Sequence, residues 1–204
     1  MPDTFMSIAS LVLPSFAAPV EIRTPRLLLR QWKDSDLDAW AAMNADAEVR
    51  KHFPKALARD EAIGESDRIR ASIARRGWGM WAAEVPGVHP FIGFIGLNDP
   101  AFEAPWQPAV EIGWRLSRDA WSKGYATEGA LAARDFAFTH LQLPQIIAMS
   151  VEPNTPSHRV MDRIGMTRWH GVEFDHPRVP VDWPHKRHVV HRLTHANWAA
   201  KGNS

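Results

Sequence analysis

Ala109-Val-Glu-Ile-Gly-Trp-Arg-Leu-Ser117 and, after three intervening residues, Trp121-Ser-Lys-Gly-Tyr-Ala-Thr-Glu128 decide the fold of this chain. The first stretch alternates apolar and polar residues, the period of a strand with two different faces, and Gly113 inside it is a candidate bulge. The second is a loop of small residues leading into a strongly helical stretch over 129–141, after which 145–151 reads as a buried strand. Strand, small-residue loop, helix and strand in that order make a possible anion cradle. Backbone N–H groups converge where a loop enters a helix, and the positive end of the helix dipole lies behind them. Gly124 permits close backbone approach, Ala126 adds little bulk, and Thr127 with Glu128 suits a first helical turn. Neither GxxxxGK[ST] nor GxGxxG occurs, so the P-loop and the dinucleotide fold lack their fingerprints.

Working outward, 26–32 is a short apolar run that reads as a strand, and Asp34 or Ser35 caps a helix that ends before Pro54. A second amphipathic helix covers 60–76 and stops at Gly77. Strands over 78–85 and 91–97 are joined by the hairpin signal Pro86-Gly87-Val88-His89-Pro90. A Pro-rich excursion fills 99–108. Beyond the central unit, a helix over 155–164 ends at Gly165, and strands over 166–174 and 186–194 flank the Pro-rich loop 177–184. No repeat, long linker or low-complexity tract interrupts this order, which points to one mixed α and β domain. The expected boundaries are an N-terminal extension over 1–22, a single domain over 23–198 and a tail over 199–204.

Composition narrows the function. The chain has 204 residues, and 24 Lys and Arg nearly cancel 23 Asp and Glu. With a formal net charge of +1 there is no broad positive field, so no nucleic-acid partner is expected. The absence of cysteine excludes disulfides, a thiolate nucleophile, Fe–S clusters and Cys-based zinc sites, and fits a reducing compartment; the cytoplasm is the expected location. The apolar run 8–20 is preceded by no Lys or Arg and is broken by Pro14 and Pro19, unlike a secretory signal, and is too short to span a bilayer. No membrane partner is expected. This extension is read as loosely ordered, or packed across the domain or a partner subunit, which makes a homodimer a possibility to test.

An ordered series of motifs carries a resemblance to a known family. Arg23-Thr-Pro-Arg-Leu-Leu-Leu-Arg30, Gly93-Phe-Ile-Gly96, Glu111-Ile-Gly-Trp-Arg-Leu116, Trp121-Ser-Lys-Gly-Tyr-Ala-Thr-Glu128, and Asn154 with Ser157, Arg163 and Gly165-Met166 together resemble the GNAT superfamily of N-acetyltransferases. The nearest branch is the one that acetylates the N-termini of ribosomal proteins. The resemblance implies an α+β fold: a mixed, mostly antiparallel sheet of about seven strands, splayed in the middle and flanked by about four helices. It implies acetyl-CoA as cosubstrate, with no metal, its pantetheine entering between strands 109–117 and 145–151. Backbone groups near Trp114, Arg115 and Leu116 would bind that arm. The loop Trp121, Ser122, Lys123, Gly124, Tyr125 and Ala126, with Thr127, would hold the pyrophosphate, Lys123 and Arg118 would add charge, and Asn154 would contact the cofactor. The family loop usually begins with Gln or Arg where Trp121 stands, and commonly has Gly in place of Ser122.

Acetyl transfer to an amine needs a base and a route for a proton to the leaving thiolate. Glu111 is the candidate base, on the strand expected to line the cleft, where partial desolvation raises a carboxyl pKa; the alternative is a solvated or Arg-paired surface carboxylate. In many relatives a tyrosine seven residues after the motif Asn is the acid, and that position here is Met161. Ser157 is the candidate substitute, resembling a scheme in which a serine hydrogen-bonds the thiolate. Its alternatives are a plain helix-capping role and protonation of the thiolate by water. His176, His185, His188, His191 and His195 raise a metal site as a rival, but His188 and His191 point to opposite faces of a regular strand. Trp78 and Trp81, three apart, are expected not to share the core, and one of them, with Trp32 or Trp106, is a candidate acceptor wall. The leading reading is direct acetyl transfer in a ternary complex to an unidentified primary amine, a protein N-terminus or a small amine. Its rivals are a catalytically weak CoA-binding sensor and a metal-dependent hydrolase.

Overall fold

The computed structural model describes residues 13–202. Along the chain run β1 (Ile22–Arg23), β2 (Leu28–Arg30), a 3-10 turn (Asp34–Asp36), α1 (Leu37–Ala45), α2 (Arg59–Arg76), β3 (Met80–Val85), β4 (His89–Asn98) and β5 (Val110–Leu116). A second 3-10 turn (Arg118–Ala120) leads to α3 (Tyr125–Thr139), β6 (Gln145–Val151), α4 (Thr155–Arg163), β7 (Thr167–Arg168), β8 (Phe174–Asp175), β9 (Arg187–Thr194) and α5 (His195–Gly202). One sheet takes the order β1-β2-β3-β4-β5-β6-β9-β7, with β8 on β9. Every pairing is antiparallel except β5 with β6.

The sheet has nine strands among the described residues, more than the seven or so expected, because β1, β7 and β8 are only two residues long. The strand expected over 166–174 is broken between β7 and β8 by a turn at Gly171, whose φ of 84° suits glycine. The first helix is shorter than expected. It stops at Ala45, where Asp46 turns extended, and a loop carries the chain to α2. Helix α5 was not anticipated and runs across position 198. Gly113 marks no bulge: β4 and β5 keep regular register from Gly93↔Leu116 to Asn98↔Glu111, and the irregularity lies in β3, between Ala83 and Val85.

Alternation along the strands sorts the core into two layers. Trp81, Ile95, Ile112, Ile146 and Ala148 point toward α3 and α4, with Ala130, Ala133, Ala137 and Val160. Ala82 and Phe94 point the other way, under α1 and α2, with Trp40, Met43 and Ile73. A third buried cluster, Trp106, Ala109, Ile147, Phe174 and Val190, packs the 99–108 excursion against β6, β8 and β9.

The described part of the N-terminal extension packs across its own domain, while residues 1–12 lie outside the described residues. Phe16 N–H donates to the Arg76 carbonyl at 2.9 Å and Val20 N–H to the Gly77 carbonyl at 2.7 Å. Trp78 and Trp81 are both fully buried, contrary to expectation. Strand β3 begins at Met80, so Trp78 precedes it and strict alternation does not apply. Their Nε1 groups donate to the Pro14 and Val20 carbonyls, both at 2.8 Å. An unpaired indole N–H at such depth would cost about 1–3 kcal/mol, so the strap completes the core it covers.

Candidate active site

The site exists because β5 and β6 part company. Their parallel ladder covers only Val110↔Ile146 and Glu111↔Ile147. Beyond Glu111 the β6-facing edge of β5 has no strand partner, and the divergence opens the sheet. Two grooves meet at this gap: one of about 950 Å³ under α2 and the 176–188 region, the other of about 500 Å³ between α3 and α4. His52, Phe53, Trp114, Arg115, Asn154 and Ser157 line both.

The smaller groove is made by backbone geometry. Ser122 (φ 60°) and Gly124 (φ 82°) both adopt the left-handed conformation, which turns successive amides toward one side. Helix α3 starts immediately after Gly124, four residues earlier than the pattern suggested. Its first such bond runs from Glu128 N–H to the Gly124 carbonyl at 3.0 Å, leaving the amides of Tyr125, Ala126 and Thr127 outside the helical ladder. These three residues line the groove. A Cβ on Gly124 would lie 3.2 Å from Arg26 Nη2. Arg26 braces the loop from the first strand region: its Nε donates to Glu128 at 2.6 Å, its Nη1 to the Lys123 carbonyl at 2.9 Å, and its guanidinium lies 5.0 Å from the Tyr125 ring. The Trp121 indole closes the other side, donating to the Leu116 carbonyl at 2.8 Å.

The charged residues around this groove differ in part from those expected. Arg118 faces a neighbouring depression and sits 3.7 Å from Asp46, while Lys123 contributes its carbonyl to Arg26. Arg159 and Arg163, one helical turn apart on α4, line the groove together with Lys51. Their i,i+4 spacing on a helix entering the cradle was the available sequence signal.

The larger groove is made of side chains. Glu111, Gly113 and Arg115 share one face of β5 and line it. Burial pushes the Glu111 carboxyl up to about 7, against the downward pull of the Asn98 hydrogen bond (3.2 Å) and the charges of Arg178 and Arg115. Such a group exchanges its proton near neutrality. Asn154 caps α4: its Oδ1 accepts from Ser157 N–H at 3.4 Å and its Nδ2 donates to Ser150 Oγ at 2.9 Å. Ser157 stands between the two grooves. Met161 is buried in the core beneath it.

The five histidines do not converge. His176 and His188 line the larger groove with rings 4.9 Å apart, whereas His191 packs on the opposite face, 5.2 Å from His158. His185 lies against Trp183 and His195 against Phe138. Burial and the neighbouring His188 and Arg178 push His176 down to about 4. Among the described residues no group of His, Cys, Asp or Glu is arranged to hold a metal ion. Asp175 ties the loop to β9 through Lys186 at 3.2 Å and Arg187 at 3.7 Å. Trp32 and Trp106 are buried and line neither groove; the aromatic walls of the larger groove are Phe53, Phe94, Phe102, Trp114 and Trp183. No helix among the described residues is long and apolar enough to cross a membrane.

A splayed mixed sheet with a helix-entry cradle on one side and a buried carboxyl on the other defines an acyl-transfer fold. The family model for the acetyltransferase (GNAT) domain matches residues 26–167. The chain therefore belongs to the GNAT acetyltransferase family and is an N-acetyltransferase. It is 29% identical over 153 residues, 73% of this chain and 84% of the relative, to the uncharacterized N-acetyltransferase YnaD of Bacillus subtilis. An acetyltransferase structure from Agrobacterium tumefaciens shares 28% identity and a TM-score of 0.68, covering 87% of this chain and 96% of that one. Mycobacterium smegmatis RimJ, in complex with CoA-disulfide, has the same fold at 21% identity and a TM-score of 0.65, covering 90% and 93% of the two chains.

Proposed function

We propose that this protein transfers the acetyl group of acetyl-CoA directly to a primary amine while both substrates are bound. The observation that carries this reading is the meeting of the two grooves at the β5–β6 gap, with Glu111 on one side and the Gly124 loop on the other. The residues present suit the cosubstrate: the amides of Tyr125, Ala126 and Thr127, with Arg159 and Arg163, match a pyrophosphate, and the unpaired edge of β5 at Trp114, Arg115 and Leu116 matches the amides of a pantetheine arm. Mycobacterium smegmatis RimJ, which shares the fold, is in complex with CoA-disulfide, which agrees.

Acetyl-CoA supplies an activated acyl group on a thioester. Glu111, deprotonated above about pH 7, accepts the proton of the incoming ammonium or amine, directly or through one water, and leaves the nitrogen lone pair free to attack. The β5 edge offers N–H donors to the carbonyl oxygen as it gains charge. Ser157 Oγ, at the junction, holds a proton toward the departing sulfur. No cysteine is available to form a thioacyl-enzyme, which agrees with attack of the amine on the thioester itself.

Calorimetric titration with acetyl-CoA and CoA, followed by thiol release across an amine panel, tests this. Micromolar binding with turnover is expected. Binding without turnover on any amine would favour the sensor reading, and no binding would remove the cradle assignment.

A further inference from the structure

The loop between α1 and α2 brings Arg50 and Phe53 to the larger groove beside Arg115 of β5. Two guanidinium groups sit together there. Both donate to Asn44 Oδ1, Arg115 at 2.8 Å and Arg50 at 3.5 Å, and both rest on the Phe53 ring, 4.6 and 4.1 Å from its centroid. Glu65 is committed to Arg115, accepting from its Nη1 and Nη2 at 2.9 and 3.3 Å. Among the described residues Arg50 has only neutral hydrogen-bond partners, Asn44 and the Lys55 carbonyl, the latter at 3.0 Å.

Neither cation is solvated enough to stand alone. Arg50 is 8% exposed, and desolvation followed by the charge of Arg115 pulls its guanidinium down to about 10. Arg115 is 10% exposed at its side chain, and its Nε is buried with no hydrogen-bond partner among the described residues. Two desolvated like charges facing one carboxylate are costly in isolation and ready to accept a further anion. The rest of the groove leans the same way. Glu61 is taken by Lys55 at 2.5 Å, while Arg68 and Arg178 also line the wall. A polycationic amine would meet few free carboxylates here.

We propose that Arg50 and Arg115, side by side across Phe53 and Asn44, form an anion subsite of the acceptor groove, and that the acceptor amine carries a carboxylate. The inference rests on the acetyltransferase reading and refines its substrate class. Glu111 and Arg115 lie on the same face of β5 with Gly113 between them, where a Cβ would already approach Met80 Cε to 3.0 Å. Gly113 adds no side chain of its own there, so only the flexible end of Met80 lies over the stretch along which one molecule would present its amine to Glu111 and its carboxylate to the guanidinium pair. A planar guanidinium matches a planar carboxylate through paired N–H donors.

The test compares amines that differ only at the anion: phenylalanine with phenethylamine, and β-alanine with O-phosphoethanolamine. The expected result is a kcat/KM at least about tenfold higher for phenylalanine than for phenethylamine, the size of a charged hydrogen bond. That ratio should fall toward one in Arg50→Gln and lie between in Arg50→Lys. A ratio of one or less in the wild type, or a preference untouched by Arg50→Gln, overturns the subsite; O-phosphoethanolamine outperforming β-alanine overturns the carboxylate assignment. A binding readout needs no turnover: 3-phenylpropionate should raise the Tm of the CoA-saturated wild type more than 3-phenylpropionamide does, and Arg50→Lys should narrow that difference. Equal shifts in the wild type count against the subsite. If Arg50→Gln fails to fold, the wild-type pairs and Arg50→Lys decide the matter. Acetyl-CoA binding and thiol release from any amine report on the parent reading separately, so a flat anion preference with intact turnover removes this inference alone.

Discussion

The two grooves that meet at the β5–β6 gap are built by different means. On the α3 side, the groove is shaped by main-chain groups: left-handed Ser122 and Gly124, and the first amides of α3, with Arg26 and Glu128 as a brace. On the α2 side, the groove is walled by side chains gathered from β4, β5, the α1–α2 loop and the 176–188 segment. A main-chain cradle depends on conformation and tolerates many side chains. A side-chain cleft depends on identity and can change its ligand by substitution. The first suits a cosubstrate shared across a family, and the second a substrate that differs from member to member.

This contrast is broken most sharply at Gly124. Gly124→Trp places a ring in the cradle at a φ of 82°, and acetyl-CoA affinity should fall by about 10²-fold or more, read by calorimetry on a variant of native circular dichroism. Unchanged affinity would remove the cradle from the cosubstrate site.

On the acceptor side, Glu111→Gln should lower kcat/KM by about 10²-fold while leaving acetyl-CoA Kd in place. In the wild type kcat/KM should fall as pH drops below about 7, because Glu111 becomes protonated, and the Gln variant should lose that limb. Stability moves the opposite way. The folded carboxyl holds its proton up to about pH 7 against an ordinary 4.5, so the folded state binds more protons than the unfolded one across that window and wild-type stability declines as pH rises through it. Glu111→Gln should therefore gain on the wild type between pH 5 and pH 8, by roughly 3 kcal/mol at most. An unchanged pH profile with full activity would reduce Glu111 to a scaffold residue.

At the junction, Ser157→Ala should lower kcat by about tenfold, the worth of one hydrogen bond, with little change in cosubstrate Kd. An effect confined to Kd would place Ser157 in the main-chain groove's binding set instead. The smallest effect is expected at Arg26→Ala. The Arg26 side chain is half exposed, so loosening its brace on Glu128 should weaken acetyl-CoA binding by only about threefold, and less at high salt. A loss as large as that at Gly124 would mean that the loop conformation depends on the brace.

Legibility in the sequence followed the same division. The Gly124 loop, β6 at Gln145–Val151 and the helix that follows Asn154 are local features, set by residues within a few positions of one another, and they were readable, whereas the capping role of Asn154 was not. Glu111 was readable through strand alternation. Arg50, His52 and Phe53 were not, since nothing in the α1–α2 connection marks it as the wall of a cleft whose floor lies 60 residues on, at Gly113 and Arg115. Arg118 and Lys123 were chosen for charge close to the loop in sequence, whereas Arg159 and Arg163 reach the groove through the packing of α4. The Trp78 expectation missed because it assumed a strand two residues longer at its start than β3.

By itself the sequence pointed to the family and to most of the element order, and it made the Gly124 loop and Glu111 candidates, because each depends on a short stretch with its own periodicity or turn chemistry. Only the tertiary structure decided where β5 and β6 separate, directly after Glu111, that the N-terminal strap completes the core over Trp78 and Trp81, and that Arg50 and Arg115 share one ring and one amide oxygen, that of Asn44. Those outcomes depend on contacts between residues far apart in the chain, and burial and charge balance exist only once the chain has folded.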